Sequence, residues 1–255
     1  MSQQKNKSIQ TRPQWDLEKL KQVAADMKRD GRTRLRVDKV KLGVPDLTFL
    51  EHFDHLTFLG IYGIKKGLKA IEHLTKLEEL CLMKVNALNL NLLKGLDSLK
   101  DLGLSYLSAS NWDALAELPS LKYFGMSNIS KLEDFSFITK LDNAIYIHIT
   151  DCAGITEIPD LSGMPNLTHF SVSDARNLVE IDGAFKAPNL QKLKLSGVRK
   201  IEPEQFRPAL EHPSLEHLSW AIEDYVDSPK NIELEKIVGK KFLETKGPHV
   251  WIKYT

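Results

Sequence analysis

The chain has 255 residues, with 35 Lys and Arg against 34 Asp and Glu, so its net charge is +1. Apolar residues make up 42% and charged residues 27%, which excludes collagenous, disordered and disulfide-dense classes. Near-neutral charge gives no reason to expect nucleic acid or an acidic membrane, and no run approaches the ~20 apolar residues of a membrane helix.

Residues 1–13 are polar, read as a disordered tail, and lack the apolar core of a signal peptide, so the cytoplasm is expected. Residues 14–50 read as a helix-and-strand cap. From Trp15 to Arg29 the pattern is that of an amphipathic helix with Leu17, Leu20, Val23 and Met27 on one face and Gly31 as a stop. Leu35 to Leu42 then alternates like a strand, and Val37, close to one repeat ahead of Leu56, reads as part of a degenerate first repeat. Charge divides along the chain: residues 1–50 carry 12 basic and 6 acidic groups (+6), residues 51–190 carry 12 and 18 (−6), and the rest 11 and 10 (+1). A nucleic-acid arm is one reading of the basic start. A solvated helix is the better one, because no aromatics are interleaved for base stacking.

From residue 51 to 223 a repeat governs the chain. The windows beginning at Leu56, Leu77, Leu99, Leu121, Ala144, Leu167, Leu190 and Leu215 all read apolar-x-x-apolar-x-apolar. Their period is nearly constant, at about 22 residues. The last two apolar residues lie two apart and face the same side of a strand. One short strand per repeat, with the chain returning between strands, gives a parallel stack in which only neighbours complete the core. Between the strands, apolar residues recur about every third position, as in Leu132, Phe135, Ile138 and Leu141, which suits 3₁₀ or irregular returns. Among these returns the segment Asn111 to Leu118 is expected to be a true helix, with Asn111 as its N-cap.

These windows resemble the leucine-rich repeat family. The ninth window position holds Ile64, Val85, Leu107, Ile129, Cys152, Ala175, Val198 and Glu223 where the family commonly has Asn, which looks like its cysteine-type repeats, and the run Ile149-Thr-Asp-Cys152-Ala-Gly-Ile155 with the repeated Pro-Asn-Leu resembles plant disease-resistance repeats. The resemblance implies an α/β solenoid, a horseshoe with one parallel strand per repeat and capped ends. It also implies a non-catalytic module that binds a protein partner on its concave sheet. An inhibitor that occludes its partner is a sharper form of that reading.

Residues 224–255 read as a second cap, with a short helix around Ile232, Leu234, Ile237 and Val238 and a last strand over Val250 to Tyr254; docking to a partner is the alternative.

Window positions 3, 5, 7 and 8 are expected on the concave face. The partner-binding candidates there are Phe58, Tyr62, Asp101, Tyr106, Tyr123, Tyr146, His148 and His169. Tyrosine buries area at low entropic cost and keeps a polar tip, although strands favour it anyway. The central column is small: Gly60, Cys81, Gly103, Gly125, then Ser171 beyond His148. It reads either as a trough that a partner enters or as the result of crowding on a curved face. A second hypothesis is a metal-dependent or enzymatic site at His148, Asp151, His169 and Asp174. No catalytic motif or cofactor fingerprint supports it. Cys81 is expected on the concave face and Cys152 in the core, three repeats apart and too far for a disulfide.

Overall fold

A computed structural model of the chain describes residues 16–38, 46–85, 87–129, 131–225 and 227–242. Nine strands form one parallel sheet in chain order: β1 (Arg34–Asp38), β2 (Phe58–Tyr62), β3 (Glu79–Met83), β4 (Asp101–Ser105), β5 (Tyr123–Ser127), β6 (Tyr146–Thr150), β7 (His169–Ser173), β8 (Lys192–Ser196) and β9 (His217–Ala221). This is a leucine-rich repeat solenoid.

Each repeat buries the same positions. In the third, Leu99, Leu102, Leu104 and Leu107 are all buried against their counterparts above and below. Burying a leucine contributes about 1.5–3 kcal/mol, and no single repeat can bury its four residues alone. The residue opening each window is set by a turn: Leu99 N–H donates to the Leu96 carbonyl, and Leu77, Leu121 and Leu167 do likewise.

Among the described residues the returns run through seven 3₁₀ segments, from Thr48–His52 to Pro203–Phe206. A three-residue turn keeps every third side chain on the core side, which is why the apolar period is near three. Three begin with a carboxylate or amide that accepts the N–H two residues on, Asp46 to Thr48, Asn89 to Asn91 and Asp134 to Ser136, and Asp160 does the same to Ser162 in the return that has no 3₁₀ segment. The segment expected to be an α-helix belongs to this set. Trp112–Glu117 is 3₁₀, and Asn111 has a left-handed backbone (φ 60°) and caps nothing. Its side chain instead donates to Asn89 Oδ1 in the preceding repeat.

A ladder of side chains ties the opposite corner, although the ninth position lacks asparagine. Asn143, Asn166 and Asn189, each one residue before a window, donate to the carbonyls of Pro119, Asp142 and Pro165, and Ser214 Oγ does the same to Pro188.

At the N-terminal end, helix α1 (Leu17–Arg29) is capped by the Asp16 carboxylate on Lys19 N–H, and Gly31 follows it at φ 67°. It buries Leu20, Ala24 and Met27, whereas Leu17, expected on that face, is exposed. The register of β1 also differs from expectation. Arg34 pairs with Phe58 and Val37 with Ile61, so Val37 stands opposite the strand's interior and not opposite Leu56. At the other end, Pro229–Phe242 forms a helix that buries Leu234, Val238 and Phe242 and leaves Ile232 exposed. Its Asn231 accepts the buried Ile222 N–H at 2.8 Å and donates to the Glu223 and Tyr225 carbonyls, which closes the last repeat. The expected strand over Val250 to Tyr254 lies outside the described residues.

Candidate functional site

The concave face is the row of side chains that alternate with the leucines along each strand. Three columns face it: position 3 (Arg34, Phe58, Glu79, Asp101, Tyr123, Tyr146, His169, Lys192, His217), position 5 (Arg36, Gly60, Cys81, Gly103, Gly125, His148, Ser171, Lys194, Ser219), and position 7 (Asp38, Tyr62, Met83, Ser105, Ser127, Thr150, Ser173, Ser196, Ala221). Position 8 was expected with them and stands elsewhere. Gly63, Lys84, Tyr106, Asn128, Asp151, Asp174 and Gly197 all have positive φ and form the turn at the edge of the sheet. Ile222, the eighth residue of the last window, is buried.

A trough of about 380 Å³ lies along the middle of this face. Gly103 and Gly125 are adjacent in its lining, on β4 and β5. Cys81, Met83 and Asp101 stand on one side, and Tyr146, His148 and Ser171 on the other. The serines of position 7 bond across strands, Ser127 Oγ to Ser105 Oγ at 2.8 Å and Ser196 Oγ to Ser173 Oγ at 2.9 Å.

The candidate residues divide by accessibility. Tyr106 is 50% exposed, and Tyr62, Asp101, Tyr123, His148 and His169 are half-buried. Phe58 and Tyr146 are buried, contrary to their expected role as outward-facing aromatics. Phe58 lies under two guanidinium groups, Arg34 at 4.0 Å and Arg36 at 5.5 Å from its ring centroid. Arg34 then reaches across β2 to grip both Glu79 oxygens at 2.7 and 2.9 Å, which holds the Glu79 carboxyl below the usual range. Tyr146 packs between two imidazoles, parallel to His148 at 6.3 Å and edge-on to His169 at 6.1 Å. Burial pushes the pKa of its phenol up.

The polar end of the trough is built around His148. Its Nε2 lies 2.6 Å from Thr150 Oγ1, while Nδ1 is buried with no hydrogen-bond partner. On the next strand, Ser171 Oγ is also buried and unpartnered. Burial, and then the Lys194 cation, lower the His148 pKa; burial, then Lys192 and His217, lower that of His169. Both imidazoles are therefore held toward the neutral form. Burial raises the Cys81 thiol pKa, which disfavours the thiolate a nucleophile needs. Cys81 and Cys152 are both free thiols, half-buried and buried respectively.

The proposed metal set does not assemble. His148 and His169 sit on the face, Asp151 and Asp174 at the exposed turn, and among the described residues no three His, Cys, Asp or Glu come together to hold an ion.

Lys84 was not among the candidates, yet it contacts two of them from the turn at the sheet edge. Its Nζ donates to the Tyr62 hydroxyl at 2.6 Å and lies 5.0 and 5.8 Å from the ring centroids of Tyr62 and Tyr106. The Tyr62 hydrogen bond comes first in raising its pKa. The signal in the sequence was the column itself: Gly, Asn and Asp recur there because they tolerate left-handed backbone, which makes Lys and Tyr stand out.

No protein-family model matches the chain, and no curated protein matches its sequence. Among solved structures, the chain is similar to two internalins of Listeria monocytogenes. With inlF it shares 18% identity at a TM-score of 0.46, over 75% of this chain and 69% of that one. With inlC2 the values are 19% and 0.47, over 78% and 84%. The solenoid assignment stands on the chain's own geometry: one strand per repeat, stacked in parallel in sequence order, with 3₁₀ returns.

Proposed function

We propose that this chain is a non-catalytic binding module that receives a protein partner on its concave sheet. One observation carries the reading. A Cβ built on Gly125 meets nothing within 4 Å, and one on Gly103 meets only Cys81 Sγ at an ordinary 3.7 Å. Neither glycine has positive φ. Crowding on a curved face therefore does not account for them. Glycine inside a strand costs about 0.5–1 kcal/mol relative to alanine, so two such glycines in open space reduce stability without a packing return. A trough kept open for another molecule accounts for both.

The surroundings support a protein as that molecule. Tyr123 stands on β5 with Gly125 and Tyr106 at the turn that edges the sheet, each with accessible aromatic surface, and Asp101 lines the trough itself. Tyrosine flanked by polar groups is the usual composition of an interface centre. Occlusion of the partner's own site, as an inhibitor, is the finer form of this reading. Among the described residues no helix is long and apolar enough to cross a membrane.

The test is partner recovery from a cell extract with the Tyr106→Ala/Tyr123→Ala double variant, checked for an unchanged unfolding transition. The reading predicts loss of a partner that the native protein retains. Undiminished recovery by a folded variant would sink it.

A further inference from the structure

Seven successive repeats end their strand in left-handed backbone, with φ from 51° to 74° at Gly63, Lys84, Tyr106, Asn128, Asp151, Asp174 and Gly197. The ladder imposes it. Each of these residues donates its N–H to the last carbonyl of the next strand, as Lys84 does to Ser105 and Tyr106 to Ser127, each at 3.0 Å. Five of the seven are Gly, Asn or Asp, the types that accept this conformation readily. Lys84 and Tyr106 are not. They are consecutive in the column, so the two departures fall side by side. Residues held against their backbone preference mark functional positions when no packing gain explains them. Here none does, since Tyr106 is half exposed and Lys84 is exposed.

We propose that Tyr62, Lys84 and Tyr106 form an anchor at the rim of the concave face that receives an aspartate or glutamate side chain of the protein partner. The carboxylate pairs with the Lys84 ammonium, and its aliphatic stem lies against the tyrosine rings. The inference rests on the concave-face reading and names the chemistry the partner must bring. Charge complementarity supports it. Lys94, Lys140, Lys186 and Lys230 each reach across to a carboxylate of a neighbouring repeat or return. Lys84 has no carboxylate partner among the described residues and is steadied by a phenol and two ring faces instead. An ammonium fixed in position by aromatic groups is ready to meet an anion with little loss of side-chain freedom.

The experiment selects linear peptides from a random display library on the native protein, then measures their affinity for variants. The anchor predicts peptides enriched in Asp or Glu. Lys84→Gln should weaken them about tenfold or more. Changing the peptide acid to its amide should give a similar loss, and the two changes together should lose little beyond either one. Independently of any ligand, Tyr106→Gly should raise the unfolding midpoint by about 2–4 °C. Peptides without a required acid, affinities indifferent to Lys84→Gln, or a lowered midpoint for Tyr106→Gly would each overturn the anchor. Peptides lost to Gly125→Leu but unaffected by Lys84→Gln overturn the anchor and leave the concave-face reading standing. Peptides indifferent to both changes, or a library that yields no binder, count against both.

Discussion

Two glycines of the same solenoid stand under opposite constraints to Gly125. A Cβ on Gly154 would lie 1.7 Å from the Leu132 carbonyl oxygen of the preceding repeat, and one on Gly183 would lie 2.1 Å from that of Ile158. Backbone cannot yield as a side chain can, so Gly154→Ala should cost about 3 kcal/mol in urea unfolding. A loss under about 1 kcal/mol would show that the repeats slide past one another more easily than their packing suggests. Gly125 has no such contact, and nothing in its one-letter code distinguishes it from Gly154. The difference is tertiary. Histidine supplies a second residue-scale expectation. His148, His169 and His212 all have pKa values lowered first by burial. A histidine with a lowered folded pKa binds fewer protons folded than unfolded, so its contribution is complete above its ordinary pKa near 6.5. Stability should therefore fall as pH drops below about 6.5 and level off below the folded pKa values. Urea midpoints from about pH 7.5 down to 5 would show the slope, and His148→Gln should reduce it. A flat profile across that range would contradict the assignment.

At the scale of the repeat, two corners are tied by different means. The convex corner uses Asx-type turns; in one of them Asp160, bonded to Ser162 and then to Lys186, has its carboxyl pKa drawn down to about 2. The corner before each strand uses Asn143, Asn166, Asn189 and Ser214 on neighbouring backbone carbonyls. Asn166→Ala removes one rung and should cost about 1 kcal/mol, measured by chemical unfolding; no measurable change would mean that water replaces the rung. The leucine period made the strands and their stacking legible in the sequence, because burial on one face leaves a spacing that no neighbour can disguise. What the period could not show is which side chain lies across the next strand. Phe58 and Tyr146 read as exposed aromatics by position, yet Arg34, on the neighbouring strand, covers one, and His148 and His169 flank the other. The Asn111 segment failed for a related reason. Its composition allows an α-helix, but the solenoid gives each return room for a tighter turn, and the 3₁₀ form keeps Ala114 and Leu115 in the core.

Over the whole molecule, the net charge of +1 conceals an ordered distribution on the concave sheet. Arg34 and Arg36 stand on β1 with Asp38 at its end, Glu79 and Asp101 on β3 and β4, and Lys192 and Lys194 on β8, with uncharged or weakly basic groups between. A partner that spans the face meets basic, acidic and basic ground in turn, around a trough with two glycines in its lining. The ends are closed by helices, the first tied to the repeats through Lys28 and Asp54 and the last through Asn231, so the sheet's broad accessible surface is this face. The central claim is that the trough is open for a ligand and not for the fold. The affinity of library-selected peptides for Gly125→Leu tests it most directly, with the unfolding midpoint taken on the same sample. An open trough should show at least about a tenfold loss of affinity with a midpoint unchanged or raised. Unchanged affinity, or a midpoint lowered by several degrees, would contradict it.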